Sequence, residues 1–294
     1  MAGGRRGPRG GAGGGAGAGA GAGLGPPAAA ARPAARGRGA AAVARAAAAA
    51  APSAGAPGRL GRRVRAAFFF GWTLLLSVPL FALMLAVFPA VWLFDRLLRR
   101  GEHAVNTLWA FLSGFPFYRV EVVGADLLPA ASEPAVYVSN HRSFLDIFTL
   151  FRLNRPFKFV SKTSNFLIPI IGWSMFLTGH LMLKRTDRRS QMQVLKDSIA
   201  LLKAGGSVLL FPEGTRSRDG AMGEFKKGAF SIAVKAGVPV VPVTLVGTGD
   251  LMPETLELNP GTIRIVVHPP LHSEDAADLL ERSRAAVASA LPGA

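Results

Sequence analysis

Hydrophobic and polar positions change their pattern along this chain. From Ala66 to Phe94, AAFFFGWTLLLSVPLFALMLAVFPAVWLF, 29 residues pass without a charge. That exceeds the ~20 residues a helix needs to cross a ~30 Å hydrocarbon layer. Trp72 and Trp92 stand near its ends, where interfacial anchors sit. Arg62, Arg63 and Arg65 precede the run and Arg96, Arg99 and Arg100 follow it, so the positive-inside rule does not select an orientation. A hairpin bent at Pro79 or Pro89 and dipping into one leaflet fits as well as a single span. The next apolar stretch, Ala104 to Phe117, is too short to span and is expected at the interface.

From Phe117 onward short β-branched runs alternate with helical periodicity. YRVEVVG, AVYVS, FKFVS, SVLLF, VPVVPVTLV and TIRIVVH read as strands, and QMQVLKDSIALLKAG and GAFSIAVKAG as helices. Met192, Leu195, Ile199 and Leu202 recur at helical spacing, while SVLLF and VPVVPV have the continuous apolar character of strands buried on both faces. This alternation predicts an α/β fold with a largely parallel sheet flanked by helices, whose site lies beyond the carboxyl ends of the strands. Asn165 to Leu183 is again free of formal charge, but Pro169, Gly172, Gly179 and His180 interrupt it. It reads as a strand, a loop and a membrane-facing apolar surface rather than a second span.

Composition separates the N-terminus from the rest. Residues 1–65 hold eleven arginines and no acidic residue, against a formal net charge of +16 for the whole chain. The basicity belongs mainly to this leader and does not describe a nucleic-acid face. Gly and Ala runs over residues 1–58 cannot bury enough apolar surface to offset ordering, so this segment is expected to be disordered. Its Arg-rich, acid-free character resembles an organelle transit peptide, chloroplast first and mitochondrion second, although Ser is scarce. An unaddressed tail is the alternative. The expected organisation is a leader over 1–58, a membrane-anchoring helical region over 59–117 and a catalytic domain over 118–294. Cysteine is absent, which removes disulfides, thiol nucleophiles and thiolate metal sites. The five histidines form no HExxH pair, so a zinc hydrolase is not indicated.

Candidate chemistry sits at two strand ends. In NHRSFLDIF, Asn140 and His141 follow the AVYVS strand, and Ser143 and Asp146 form a capping box for the next helix. A carboxylate on that first turn can also reach back to Nδ1 of His141, leaving Nε2 to accept a proton. In SVLLFPEGTRS a second strand opens into Glu213, Gly214, Thr215 and Arg216. Gly214 permits close backbone approach, Thr215 offers a hydroxyl and Arg216 presents a planar fork suited to a phosphate. Without a GxSxG elbow, a serine hydrolase is excluded.

Together these segments resemble the glycerolipid acyltransferases that make phosphatidic acid, the 1-acylglycerol-3-phosphate O-acyltransferases. NHRSFLD carries the HxxxxD signature at His141 and Asp146. KTSNFLIPIIGWSMFLTGHLMLKR carries a second block, matching at Lys162, Pro169, Gly172, Trp173, Gly179 and Arg185. FPEGTRS is the third and VPVVPV, Val238 to Val243, the fourth, with FKKGAF between the last two.

The resemblance implies acyl transfer from a thioester of acyl carrier protein or coenzyme A to the sn-2 hydroxyl of lysophosphatidic acid, with no cofactor and no metal. His141 would be the general base and Asp146 would fix its tautomer. Arg216, Arg185 and Lys162 would hold the acceptor phosphate, with Gly214 and Thr215 in the same loop. Glu213 would orient either Arg216 or a substrate hydroxyl, and the VPVVPV prolines would shape the sheet edge and the acyl-chain wall, with a plain core strand as the alternative. Expected partners are the bilayer and the two substrates, with acyl carrier protein as a candidate protein partner and no nucleic acid. The location implied is a chloroplast envelope membrane, with endoplasmic reticulum or mitochondrion as alternatives. Competing readings are transfer to another lysophospholipid and an inactive lipid-binding protein on the same fold.

Overall fold

A computed structural model describes residues 57–217 and 221–292. The leader expected over 1–58 lies, apart from Pro57 and Gly58, outside the described residues.

The uncharged run forms one helix, α1 (Arg59–Phe94), of 36 residues, which at ~1.5 Å per residue is about 54 Å long. It is long and apolar enough to cross a membrane, and only 17% of its most apolar window is buried. The buried positions Ala66, Phe69, Thr73, Ser77, Met84 and Val91 recur at intervals of three, four and seven, which places them on one stripe. Phe69 is fully buried and meets the rings of Phe117 and Phe148 edge-on, each at 5.4 Å. The other faces leave Phe68, Leu74, Leu75, Val78 and Leu85 exposed. At its start α1 is held by Glu257, which accepts hydrogen bonds from Arg59 at 3.0 Å and Arg62 at 2.8 Å.

Of the two forms the sequence allowed, a hairpin turning at Pro79 or Pro89 is not formed, because α1 continues as one helix through both. Each proline removes one backbone hydrogen bond, and the surrounding turns of an apolar helix hold the rest. The chain reverses instead at Asp95–Arg99, where charge first interrupts the apolar run. Asp95 closes α1 and accepts a hydrogen bond from the Arg100 backbone at 2.7 Å, while Arg99 takes a left-handed conformation with φ of 50°. Helix α2 (Arg100–Gly114) then packs back along α1. The reversal is fastened from below. Lys158, almost wholly buried, donates to the carbonyls of Leu98 at 2.5 Å and Thr178 at 2.6 Å, and Arg99 donates to those of Phe176 and Leu177. Burial pushes the Lys158 ammonium down to about 7. Lysine and arginine thus occupy the carboxyl end of helix α4 (Ile171–Thr178), where the dipole favours cations.

The sheet has seven strands: β1 (Arg119–Val123), β2 (Val136–Ser139), β3 (Phe157–Lys162), β4 (Leu181–Leu183), β5 (Ser207–Leu210), β6 (Val240–Val246) and β7 (Thr262–Val267). Their order is β1-β7-β6-β2-β5-β3-β4, and every pair is parallel except β6 with β7. Every residue of β2 and β6 is buried, as the unbroken apolar runs require of central parallel strands. Helices α3 (Leu145–Leu150), α5 (Arg188–Lys203), α6 (Gly228–Ala236), α7 (Thr248–Leu251) and α8 (Ala276–Ala288) complete the chain.

Further sequence expectations need correction. Asn165–Leu183 holds a helix, α4, before its strand, because Gly179 at φ of 77° can terminate a helix in the left-handed conformation. The VPVVPV prolines are not at a sheet edge: β6 lies between β7 and β2, and none of Val238–Val243 lines the cavity described below. Pro242 stands inside the sheet, level with Val138 of β2; it lies just past the last β6–β7 pair, Val243 with Val267, and its carbonyl still accepts the His268 N–H at 3.0 Å.

Candidate active site

The site forms at the carboxyl ends of β2 and β5, which are neighbours. Val138 is level with Leu210 across the pair, so His141 and Glu213, each three residues further on, emerge side by side. Their loops are stitched together. Glu213 accepts the His141 backbone N–H at 2.8 Å, and the His141 carbonyl accepts the Ser217 N–H at 2.9 Å. The second Glu213 oxygen accepts the Gly223 N–H at 2.9 Å. Burial pushes the Glu213 carboxyl above its usual range, and these backbone donors oppose that rise.

Asn140 secures the other side. Its buried amide donates to the Leu245 carbonyl at 2.9 Å and accepts from the Leu245 N–H at 2.8 Å, continuing the β2–β6 ladder with a side chain. His141 is therefore held from both neighbouring strands.

The imidazole is fixed by its own loop. His141 Nδ1 lies 2.7 Å from Asp146 Oδ2, and the same oxygen accepts the backbone N–H groups of Arg142 at 2.8 Å and Ser143 at 2.9 Å. Asp146 is fully buried. The Ser143 hydroxyl accepts from the Leu145 N–H at 3.3 Å and donates to the Met252 carbonyl at 2.8 Å. One carboxylate thus caps the start of α3 and orients the histidine. A ring whose Nδ1 faces a carboxylate carries its proton there and leaves Nε2 free to accept one. Phe211 stacks against the imidazole at 4.0 Å between centroids and 15° between planes, which limits ring rotation.

His141 opens into a cavity of about 370 Å³. One part of its wall is cationic: Lys162 at the end of β3, Arg185 just after β4, and Arg216 all line it, with Gly214 beside them. All three cations are exposed, and none forms an ion pair with a described residue. The Arg216 guanidinium lies 5.9 Å from the Phe144 ring centroid, within cation–π range. Much of the remaining wall is apolar and comes from the helices, including Phe81 and Met84 of α1, Trp109 of α2, Phe148 of α3 and Met175 of α4.

The structure therefore gathers His141, Asp146, Glu213, Gly214, Arg216, Lys162 and Arg185 around one space, with Asp146 and Glu213 acting from behind the lining. Thr215 is exposed and outside the lining set. Sequence reasoning missed the positioning residues. In the sequence Asn140 is only a strand-end residue, and its partner Leu245 is 105 positions away. Phe211 carries no sequence signal beyond its place at a strand end. Among the described residues, no group of three or more His, Asp or Glu side chains is arranged to hold a metal ion.

Comparison with known proteins gives a consistent set of similarities. The Acyltransferase family model matches residues 119–246. A 1-acyl-sn-glycerol-3-phosphate acyltransferase of Chlamydomonas reinhardtii is 57% identical over 243 residues, covering 82% of this chain and 73% of the relative. A chloroplastic 1-acyl-sn-glycerol-3-phosphate acyltransferase of Arabidopsis thaliana is 48% identical over 235 residues, covering 79% of this chain and 66% of the relative. The crystal structure of the 1-acyl-sn-glycerophosphate acyltransferase PlsC from Thermotoga maritima superposes with a TM-score of 0.54 at 28% identity, covering 73% of this chain and 92% of that one.

Proposed function

Because this chain belongs to the 1-acyl-sn-glycerol-3-phosphate acyltransferase family, we propose that it esterifies the sn-2 hydroxyl of lysophosphatidic acid with an acyl group from a thioester, forming phosphatidic acid. The observation that carries this reading is a carboxylate-tethered imidazole and a set of cations, without an ion pair among the described residues, on the wall of one cavity. An alcohol needs a base, and its phosphate needs positive charge at a fixed distance from that base.

His141 Nε2 takes the hydroxyl proton as the substrate oxygen attacks the thioester carbonyl. The new C–O bond forms, the C–S bond breaks, and the proton passes from His141 to the departing sulfur. Asp146 holds the ring tautomer and stabilises the imidazolium while it exists. Arg216, with Lys162 and Arg185, binds the acceptor phosphate, which suits a planar guanidinium flanked by point charges. Glu213 acts on the backbone of His141 and Gly223 rather than on a substrate hydroxyl or the Arg216 guanidinium. Its hydrogen bonds from those two N–H groups support this role in place of either earlier expectation. The apolar wall from α1 to α4 receives an acyl chain.

The chloroplastic relatives from Arabidopsis thaliana and Brassica napus support a plastid location, and α1 supports membrane attachment. Within that setting we assign the envelope as the membrane, residues 1–58 as the import leader and acyl carrier protein as the donor's carrier. The test is a detergent-solubilised assay with one labelled acyl thioester and lysophosphatidic acid, glycerol 3-phosphate and lysophosphatidylcholine offered in competition. Labelled phosphatidic acid should dominate. Preferential labelling of either other acceptor would overturn the assignment, and repeating the assay with both carriers decides the donor.

A further inference from the structure

Helix α4 and the loop before it leave a large apolar surface outside the catalytic fold. Leu167 is 79% exposed and Phe176 65%, and Trp173, Ile168 and Met182 are also exposed. This is an unusual concentration for a domain whose other large exposed apolar residues lie mainly on α1 and α2. The surface is continuous with α1, since the Trp173 ring lies 5.9 Å from that of Phe81 on the helix long enough to cross a membrane. Basic residues Lys162, Lys184 and Arg185 flank it in the chain and are exposed. An apolar face bordered by cations and joined to an apolar helix fits a bilayer with anionic headgroups.

The same loop is also a wall of the cavity. Ile168, Ile170 and Ile171 line it from within, while Leu167 and Ile168 face outward, so a single thickness of chain separates the cavity from the exposed surface. The loop is held in a demanding shape. Ile170 has φ of 64° and ψ of −57°, and the Ile171 N–H reaches back to the Pro169 carbonyl at 2.7 Å, a γ-turn of the rare, strained hand. A side chain at Gly172 would stand 2.1 Å from the Phe166 carbonyl oxygen, so only glycine allows this closure.

We infer that the segment Thr163–Thr178 inserts into the lipid surface beside α1, as a second membrane contact belonging to the catalytic domain, and forms the lip of the cavity. An apolar chain then passes between bilayer and site across Ile168 without crossing water. This goes beyond the proposed reaction, and it stands chiefly on the exposed apolar residues Leu167, Trp173 and Phe176, which take no part in that reaction.

The chain has no cysteine, so a single introduced thiol labels one position. Leu167→Cys and Phe176→Cys, neither of which lines the cavity, are labelled with a polarity-sensitive fluorophore in the full-length protein. The protein is then transferred from detergent into vesicles of phosphatidylcholine and phosphatidylglycerol. Leu74→Cys on the exposed face of α1 and Glu281→Cys on the exposed face of α8 are the references. The inference predicts a blue shift, and quenching by brominated lipid, at 167 and 176 comparable with those at 74 and absent at 281. Aqueous emission at 167 and 176 while 74 shifts would overturn it. A shift that follows protein concentration rather than lipid would also overturn it, by assigning the surface to a second copy of the chain. No substrate or turnover enters the measurement, so its failure is distinct from failure of the proposed reaction.

Discussion

Glu213 accepts a hydrogen bond from the backbone N–H of His141 at 2.8 Å, across 72 residues of chain. The loop of β5 thereby holds the loop of β2, and the base and the cation-bearing turn form one unit. The second Glu213 oxygen extends that unit to Gly223.

Glu213→Gln should break it. An amide offers one acceptor oxygen where the carboxylate offers two, so its NH2 group would face a backbone N–H. An unmet buried donor costs about 1–3 kcal/mol of stability, and kcat should fall because the base is no longer held against the cation-bearing turn. Hydrogen exchange at the amides of His141 and Gly223 should quicken in the same variant. Unchanged exchange and turnover would remove the positioning role.

His141→Ala should lower turnover by about 10²- to 10⁴-fold, the usual contribution of a general base, with an unchanged melting temperature. Asp146→Asn should lose activity and stability together, because Asp146 also accepts the N–H groups of Arg142 and Ser143. The paired measurement of rate and melting point separates the two roles.

Arg216→Ala should raise the KM for the phosphorylated acceptor. A lost charge-assisted hydrogen bond of about 1.5–3 kcal/mol corresponds to roughly a tenfold to hundredfold change in binding, with a smaller effect on kcat. Arg185→Ala and Lys162→Ala should move the same constant less. A change confined to the thioester's KM would place Arg216 at the donor instead.

Gly172→Ala should cost about 1–3 kcal/mol, as overpacking does, because its Cβ would stand 2.1 Å from a backbone oxygen that cannot simply rotate away. Thermal unfolding measures the cost. A neutral result would show that the turn at Ile170 relaxes without penalty.

Acid sensitivity has an identified contributor outside the catalytic loops. His268 is buried beside Thr244, 2.8 Å from its hydroxyl, and burial pushes the imidazole down to about 4 from 6.5. A base depressed in the folded state stays neutral there while the unfolded chain takes up a proton. Its contribution is therefore complete above pH 6.5 and is lost progressively as pH falls toward 4. At about 1.4 kcal/mol per unit this amounts to roughly 3 kcal/mol. Urea titrations at pH 7 and 4.5 should show a smaller difference in His268→Gln, whose amide can bond to Thr244 but does not titrate in this range.

Most of the sheet was legible because central parallel strands must be apolar on both faces, and VYVS, SVLL and VVPVTLV are runs of that kind. The hairpin alternative set the reversal at proline, which is a strong local breaker in water and a weak one in an apolar helix. The charged run Asp95–Arg100, which does reverse the chain, reads in the sequence only as a flank. Helix α4 was hidden in Asn165–Leu183 because IGWSMFLT, apolar on nearly every face, has no amphipathic period to read.

By itself the sequence determined the local chemistry: a histidine five residues before a carboxylate, a Pro-Glu-Gly-Thr-Arg turn after a buried run, and an apolar helix of spanning length. Those are properties of neighbouring residues, and neighbours interact whatever the rest of the chain does. Only the tertiary structure decided that β2 and β5 lie side by side, that Asn140 reaches Leu245, that Glu213 serves the backbone of His141, and that helices from the first half of the chain wall the cavity. Such contacts depend on strand order and on which surfaces close over one another, and free energy summed over the whole fold selects them.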